Sequence, residues 1–111
     1  MIRRGDVYLV QLDPVVGSEV GKTRPAVVVQ NDLANRSSPT VTLIPISSKA
    51  DRVFPFQIRL AAGEGGLDRA SKALCEQIRT VARDRLVQYL GHLPAERLTE
   101  IRAALDRHLW F

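Results

Sequence analysis

Gly21-Lys22-Thr23-Arg24-Pro25-Ala26-Val27-Val28-Val29-Gln30 is the stretch whose reading decides the fold. Proline disfavours helical backbone in the residue before it, so Arg24 is pushed towards an extended conformation. The three consecutive β-branched valines behind it read as a strand buried on both faces. The guanidinium is thereby delivered from a stiff point at the mouth of a strand. A planar, permanently charged arginine held that way can clamp a phosphate through paired hydrogen bonds, which lysine does only as a point charge. The plainer reading is a surface arginine that begins a core strand, and this stretch alone favours it.

Upstream, Asp6 to Asp13 alternate, with Tyr8, Val10 and Leu12 on one face and Val7 and Leu9 on the other, which predicts a first strand. Pro14 to Thr23, punctuated by Gly17 and Gly21, is longer than a tight hairpin needs, and such loops are often functional. Downstream, Asn31, Asp32 and Asn35 mark a turn or a single helical turn. A third strand, Val41 to Ile46, is interrupted by Pro45, which cannot donate a ladder hydrogen bond and so predicts a sheet edge or a bulge. Phe56 to Leu60 predict a half-buried strand with its polar face outward, and Gly63 to Gly66 a turn. Ala73 to Val81 read as a strand pair or one long bent strand. A short helical turn over Arg83 to Val87 and a last strand from Tyr89 to Leu93 complete the sheet. Pro94 then suits a helix start, and Leu98, Ile101, Leu105 and Leu109 recur at helical spacing. These short strands, closed by one amphipathic C-terminal helix, predict a mainly β protein, a small, strongly bent sheet or barrel.

A chain of 111 residues, 45% hydrophobic and 25% charged, is expected to form one domain over its whole length with a real core. No apolar run approaches the roughly 20 residues that span a bilayer, and the start of the chain lacks a signal-peptide core, so a cytoplasmic location is expected. The single Cys75 has no disulfide partner within the chain, and one Cys with two distant His gives no metal-ligand spacing. Cys75 therefore reads as a small core hydrophobe. A net charge of +4 permits nucleic-acid binding through phosphate contacts without demanding it. No nucleophilic triad, P-loop or dinucleotide fingerprint is present, and His92 and His108 lie too far apart to suggest a two-histidine ribonuclease. Arg24, fixed by the following proline, and Ser47, just past a proline-broken strand, remain as the candidates, although for the serine alone a simple turn residue is the favoured reading.

The run Arg4-Gly5-Asp6-Val7-Tyr8, Leu12-Asp13-Pro14, Val16 to Glu19 and Gly21 to Val28 resembles the opening of the MazF/PemK family of toxin endoribonucleases. Asn31-Asp32, Pro45-Ile46-Ser47-Ser48, Gly66-Leu67-Asp68 and Leu74 to Thr80 continue the resemblance in the family's order over nearly the whole chain. It implies an SH3-like β-barrel with a C-terminal helix, a homodimer, and cleavage of single-stranded RNA with neither metal nor other cofactor. Its catalytic arginine falls on Arg24 and its catalytic threonine on Ser47, where the hydroxyl is kept and the methyl lost. Substrate would be held by Ser18 and Lys22 in the Pro14–Thr23 loop and by Lys49, Gln77 and Arg79. The partner implied is a cognate antitoxin with an acidic, disordered tail; no membrane is involved. Two other functions stay open at this point: a gyrase poison, whose family ends in tryptophan, glycine and isoleucine where this chain has Trp110-Phe111, and a nucleic-acid-binding module without chemistry.

Overall fold

In the computed structural model, which describes residues 1–110, strand β1 (Asp6–Gln11) lies between β2 (Thr23–Val28) and β7 (Leu86–His92), antiparallel to both. β3 (Thr40–Ser47), β4 (Gln57–Leu60) and β5 (Ser71–Leu74) extend the sheet in the order β4-β5-β3-β2-β1-β7, and β6 (Arg79–Ala82) pairs with the other half of β3. Helix α1 (Asp32–Ser37) links β2 to β3, and α2 (Ala95–Leu109) ends the described chain. The pairing of β1 with β7 slips between Val7 and Tyr8 and again between Leu9 and Val10. Irregularities of this kind bend a strand and raise its twist, which supports the bent-sheet expectation.

Alternating residues of each strand feed two separate cores. Val7, Val27, Ile44, Ile46 and Ala73 pack with Ile101 and Ala104 of α2. Val10, Leu12, Ala26, Leu43 and Val81 pack on the opposite face with Tyr8. Both faces of β2 are therefore covered, which explains why its sequence is apolar without interruption. Each fully buried Val, Leu or Ile contributes roughly 1.5–3 kcal/mol of transfer free energy.

Pro45 is neither at an edge nor at a bulge. It pairs with Ala26 of β2, but on the other side β6 covers only Thr40 to Leu43 and β5 only Ile46 and Ser47. The proline thus sits where β3 changes partner, a gap in the ladder that tolerates a missing donor. The same change of partner breaks the Ala73–Val81 stretch into β5, a 3₁₀ turn at Cys75–Gln77 and β6. Cys75 is fully buried there, and burial above all pushes its thiol up to about 12. In β4 the outward polar face is only partly as expected: Arg59 is exposed, but Gln57 is buried, its side chain accepting from Phe54 N and donating to Glu76. The glycine turn is packed rather than open. Gly66 has φ +75°, and a Cβ there would stand 2.0 Å from the Leu90 carbonyl oxygen, so the turn lies directly on β7.

Helix α2 buries Ile101 and Ala104 most deeply, with Leu98 and Leu105 partly covered, whereas Leu109 stays half exposed. Arg97 ties the helix to the glycine turn through Glu64, at 3.0 Å, and also bonds Glu100. Trp110 is 85% exposed and so is not packed against the helix end; its neighbour Phe111 lies outside the described residues. Among the described residues no helix is long and apolar enough to cross a membrane.

Candidate active site

Arg24 is the second residue of β2, opposite Val10 of β1. Its Nε donates to the Gly21 carbonyl at 2.8 Å across a turn in which Lys22 takes a left-handed φ of 63°. The rest of the guanidinium makes no hydrogen bond or ion pair among the described residues. The stiff extended backbone expected from Pro25 is present, and most of the donor fork remains free.

The pairing of β2 with β3 ends at Ala26 opposite Pro45. Two residues further along each strand, Arg24 and Ser47 follow on the same face as that pair. Ser47 in turn lies opposite Lys72 of β5, and Lys72 opposite Arg59 of β4. Directly opposed residues of antiparallel strands project from the same face, so Ser47, Lys72 and Arg59 form one row across β3, β5 and β4, and Arg24, two residues along β2 from Ala26, stands on the same face. The adjacent row, Ile46, Ala73 and Ile58, points into the core under α2, which fixes the polar row to the opposite face.

Ser47 is 9% exposed, and its Oγ accepts from Lys49 N at 3.2 Å. That bond leaves the hydroxyl proton free to be donated. Lys72 Nζ donates to the Arg52 carbonyl at 2.7 Å and Arg59 Nη1 to the Ala50 carbonyl at 3.2 Å, so both hold the loop that joins β3 to β4. No carboxylate lies within 4.0 Å of Arg24, Lys72, Arg59 or Lys49 among the described residues; the ion pairs sit elsewhere, at Arg3–Asp6, Asp68–Arg69 and Arg97–Glu64. The row is therefore a strip of uncompensated positive charge around one hydroxyl. Such a strip can bind a phosphate and stabilise charge that develops on it.

A cleft of about 520 Å³ opens on the other face, between Leu9, Pro25, Ile46, Leu67 and Ser48, with Arg24 at its rim. Ser48 lines it and Ser47 does not, so the two adjacent serines serve opposite faces. Of the other expected residues, Gln77 Oε1 accepts from Val20 N at 3.3 Å and Arg79 Nη1 donates to the Leu12 carbonyl at 3.2 Å. Gln77 thus supports the Pro14–Thr23 loop itself, and Arg79 the chain just before it. Ser18 and Lys22 are exposed on that loop, and Lys49 is exposed two residues past Ser47. Neither histidine joins the row: His92 Nδ1 bonds the buried Asp6 carboxylate at 2.8 Å, and His108 lies against Phe56. Lys72 and Arg59 were missed by sequence reasoning, because only the strand register reveals that they share a face with Arg24.

Residues 3–109 match the family model described as PemK-like, MazF-like toxin of type II toxin-antitoxin system. The chain belongs to this family. Among its relatives, the endoribonuclease MazF9 of Mycobacterium tuberculosis is 42% identical, across 98% of this chain and 97% of its own length. The endoribonuclease EndoA of Bacillus subtilis is 41% identical, across 96% and 92%. Among solved structures, MazF from Deinococcus radiodurans superposes with a TM-score of 0.86 at 27% identity, covering 99% of this chain and 97% of that one. A MazE–MazF structure from the same organism gives 0.78 at 28% identity, covering 97% and 95%. The bent antiparallel sheet and terminal helix of this MazF-like toxin are thus the fold that the resemblance implied.

Proposed function

We propose that this MazF-like toxin, an endoribonuclease by family, cuts single-stranded RNA with Arg24 and Ser47 as the catalytic pair. The reading is supported by the strand pairing, which puts Arg24 and Ser47 on one face of the sheet, two residues beyond the Ala26–Pro45 pair, with Lys72 and Arg59 alongside. RNA brings its own nucleophile, the 2′-OH, so the protein's task is to hold that oxygen in line with the scissile phosphate and to stabilise the phosphorane-like transition state. Arg24 stabilises that charge with its free N–H groups and protonates the leaving 5′ oxygen. Ser47 donates a hydrogen bond to a non-bridging oxygen. As the 2′ oxygen bonds to phosphorus its proton passes to water, and the bond from phosphorus to the 5′ oxygen breaks; Arg24 regains from water the proton it gives to the leaving oxygen, and the products are a 2′,3′-cyclic phosphate and a 5′-OH. DNA lacks the nucleophile and is not cut.

Unpaired bases are read by the Pro14–Thr23 loop, with Ser18 and Lys22 outward, Gln77 supporting it and Arg79 holding the chain just before it, while Lys49 contacts the backbone. Single strands expose base edges that an A-form duplex hides. The working form is a cytoplasmic homodimer held inactive by a cognate antitoxin, as the MazE–MazF neighbour suggests. An acidic tail, disordered when free, orders across the cationic row and competes with RNA. Purified protein incubated with a long unstructured RNA in EDTA tests the core of the proposal. Fragments with cyclic phosphate and 5′-OH ends are expected; intact RNA, or fragments with 5′-phosphate ends, would overturn it. A tail peptide that leaves RNA affinity unchanged would sink the competition model alone.

A further inference from the structure

The loop between β3 and β4 carries a feature with no part in the scheme above. Phe54 and Phe56 stack with planes 2° apart, the Arg52 guanidinium lies 4.8 Å from the centre of the Phe54 ring, and Lys72 Nζ lies 5.8 Å from it. Arg52 is exposed and Phe54 is 38% exposed, so both can be reached from solvent. The platform is not loosely hung. Phe54 N donates to the buried Gln57 side chain, while Lys72 and Arg59 grip the carbonyls of Arg52 and Ala50. Its anchors are thus members of the row that includes Ser47, and Lys72 stands directly opposite Ser47.

We propose that Arg52 and Phe54 form a nucleotide subsite of the same RNA groove, one that stacks an unpaired base flanking the scissile step. The inference rests on the endoribonuclease reading. A base has a π-face whatever its identity, and both an aromatic ring and an arginine plane laid on it offer a stacking surface. Lys72 and Arg59 meanwhile supply positive charge for the phosphates on either side. No carboxylate within 4.0 Å cancels that charge among the described residues. A single strand that leaves Ser47 along the row meets Lys72 next and then the platform. The subsite therefore accepts RNA on the side away from the Pro14–Thr23 loop, and the enzyme grips its substrate from both sides of the cut.

The test uses the full-length protein and a set of short RNAs with one cleavage site, each with a single abasic residue at a different flanking position. Phe54→Ala is expected to lower kcat/KM by roughly 5- to 100-fold, mostly through KM, with Phe54→Trp close to wild type. At one flanking position the abasic RNA should reproduce that loss with the wild-type enzyme, and Phe54→Ala should then add nothing. A loss that adds to the abasic effect at every position would show that Phe54 only holds the loop and would overturn the subsite. So would an unchanged KM. Wild-type protein that cuts none of the RNAs would instead refute the endoribonuclease reading beneath it.

Discussion

Arg24→Ala separates stability from chemistry, and the structure gives the size of each effect. In the folded protein the side chain makes one hydrogen bond, to Gly21 O at 2.8 Å, and is only partly buried. A net hydrogen bond of that kind contributes about 1 kcal/mol. At this chain length each kcal/mol lowers Tm by roughly 4–8 °C, so the variant should stay folded at 25 °C. The expected rate effect is larger, because the donors lost are free in the resting protein and, in the proposed mechanism, meet charge that forms only during reaction. Removing one such preorganised donor typically costs roughly 10² to 10³ in rate, about 2.7–4 kcal/mol. Cleavage should be followed with a fluorogenic single-stranded RNA in EDTA, beside a thermal melt of the same preparation. Arg24→Lys keeps the charge but not the planar fork, and is expected to fall between wild type and alanine. Cleavage by the alanine variant within tenfold of wild type would refute the reasoning. So would a loss of rate no larger than the loss of folded protein.

Ser47→Ala should cut far more slowly, while Ser47→Thr is tolerated or faster because a β-branched side chain restricts the hydroxyl about χ1; equal initial rates for serine and alanine would remove position 47 from the mechanism. Gly66→Ala should unfold the protein or cost several kcal/mol in denaturant titration. It combines a positive φ with a Cβ 2.0 Å from the Leu90 carbonyl oxygen, and backbone cannot give way as a side-chain tip does. Glu64, held below the usual carboxylate range first by the Ala61 N–H and then by Arg97, adds stability that is present above its unfolded pKa and lost as pH falls through its lowered folded value. Glu64→Gln should therefore lower stability at neutral pH and flatten the acid limb of a stability-versus-pH curve below about 4.5, so that the variant and wild-type curves converge as pH falls.

The sequence exposes what is local and hides what is relational. The valine run of β2, the alternation of β1 and the helical spacing of α2 each follow from a period within a few residues, and each is present in the fold. Pro45 and Gln57 were read against that same local rule and came out differently. Pro45 depends on which strand stands beside each half of β3, and Gln57 on having Phe54 N and Glu76 to satisfy it when buried. The candidate site shows the same division. Arg24 and Ser47 were legible, the first from its proline and both from the family resemblance. Lys72 and Arg59 read only as polar positions of their strands. A slip of one residue in register would send them to the opposite face, so their membership of the row is a property of three pairings at once.

Those pairings also explain why the site lies where it does. Along the face that carries it, β2 runs from Ala26 to Arg24 and β3 from Leu43 through Pro45 to Ser47. Ala26 and Leu43 belong to the core beneath Tyr8, while Arg24 stands opposite the buried Val10 of that core and Ser47 follows Leu43 and Pro45 along β3. The row thus runs along the border of a buried face. Behind it, Ile46 and Ala73 stay locked under α2, so the backbone that carries Ser47 and Lys72 is held from the rear by side chains one residue away. A hydroxyl needed in a fixed position, with cations that must stay free of carboxylate partners, can be placed where one face of a strand is core and the other is open. The strand ends of this bent sheet provide that combination, which is why the positioning of Arg24 and Ser47 depends on the valines and isoleucines of the core behind them.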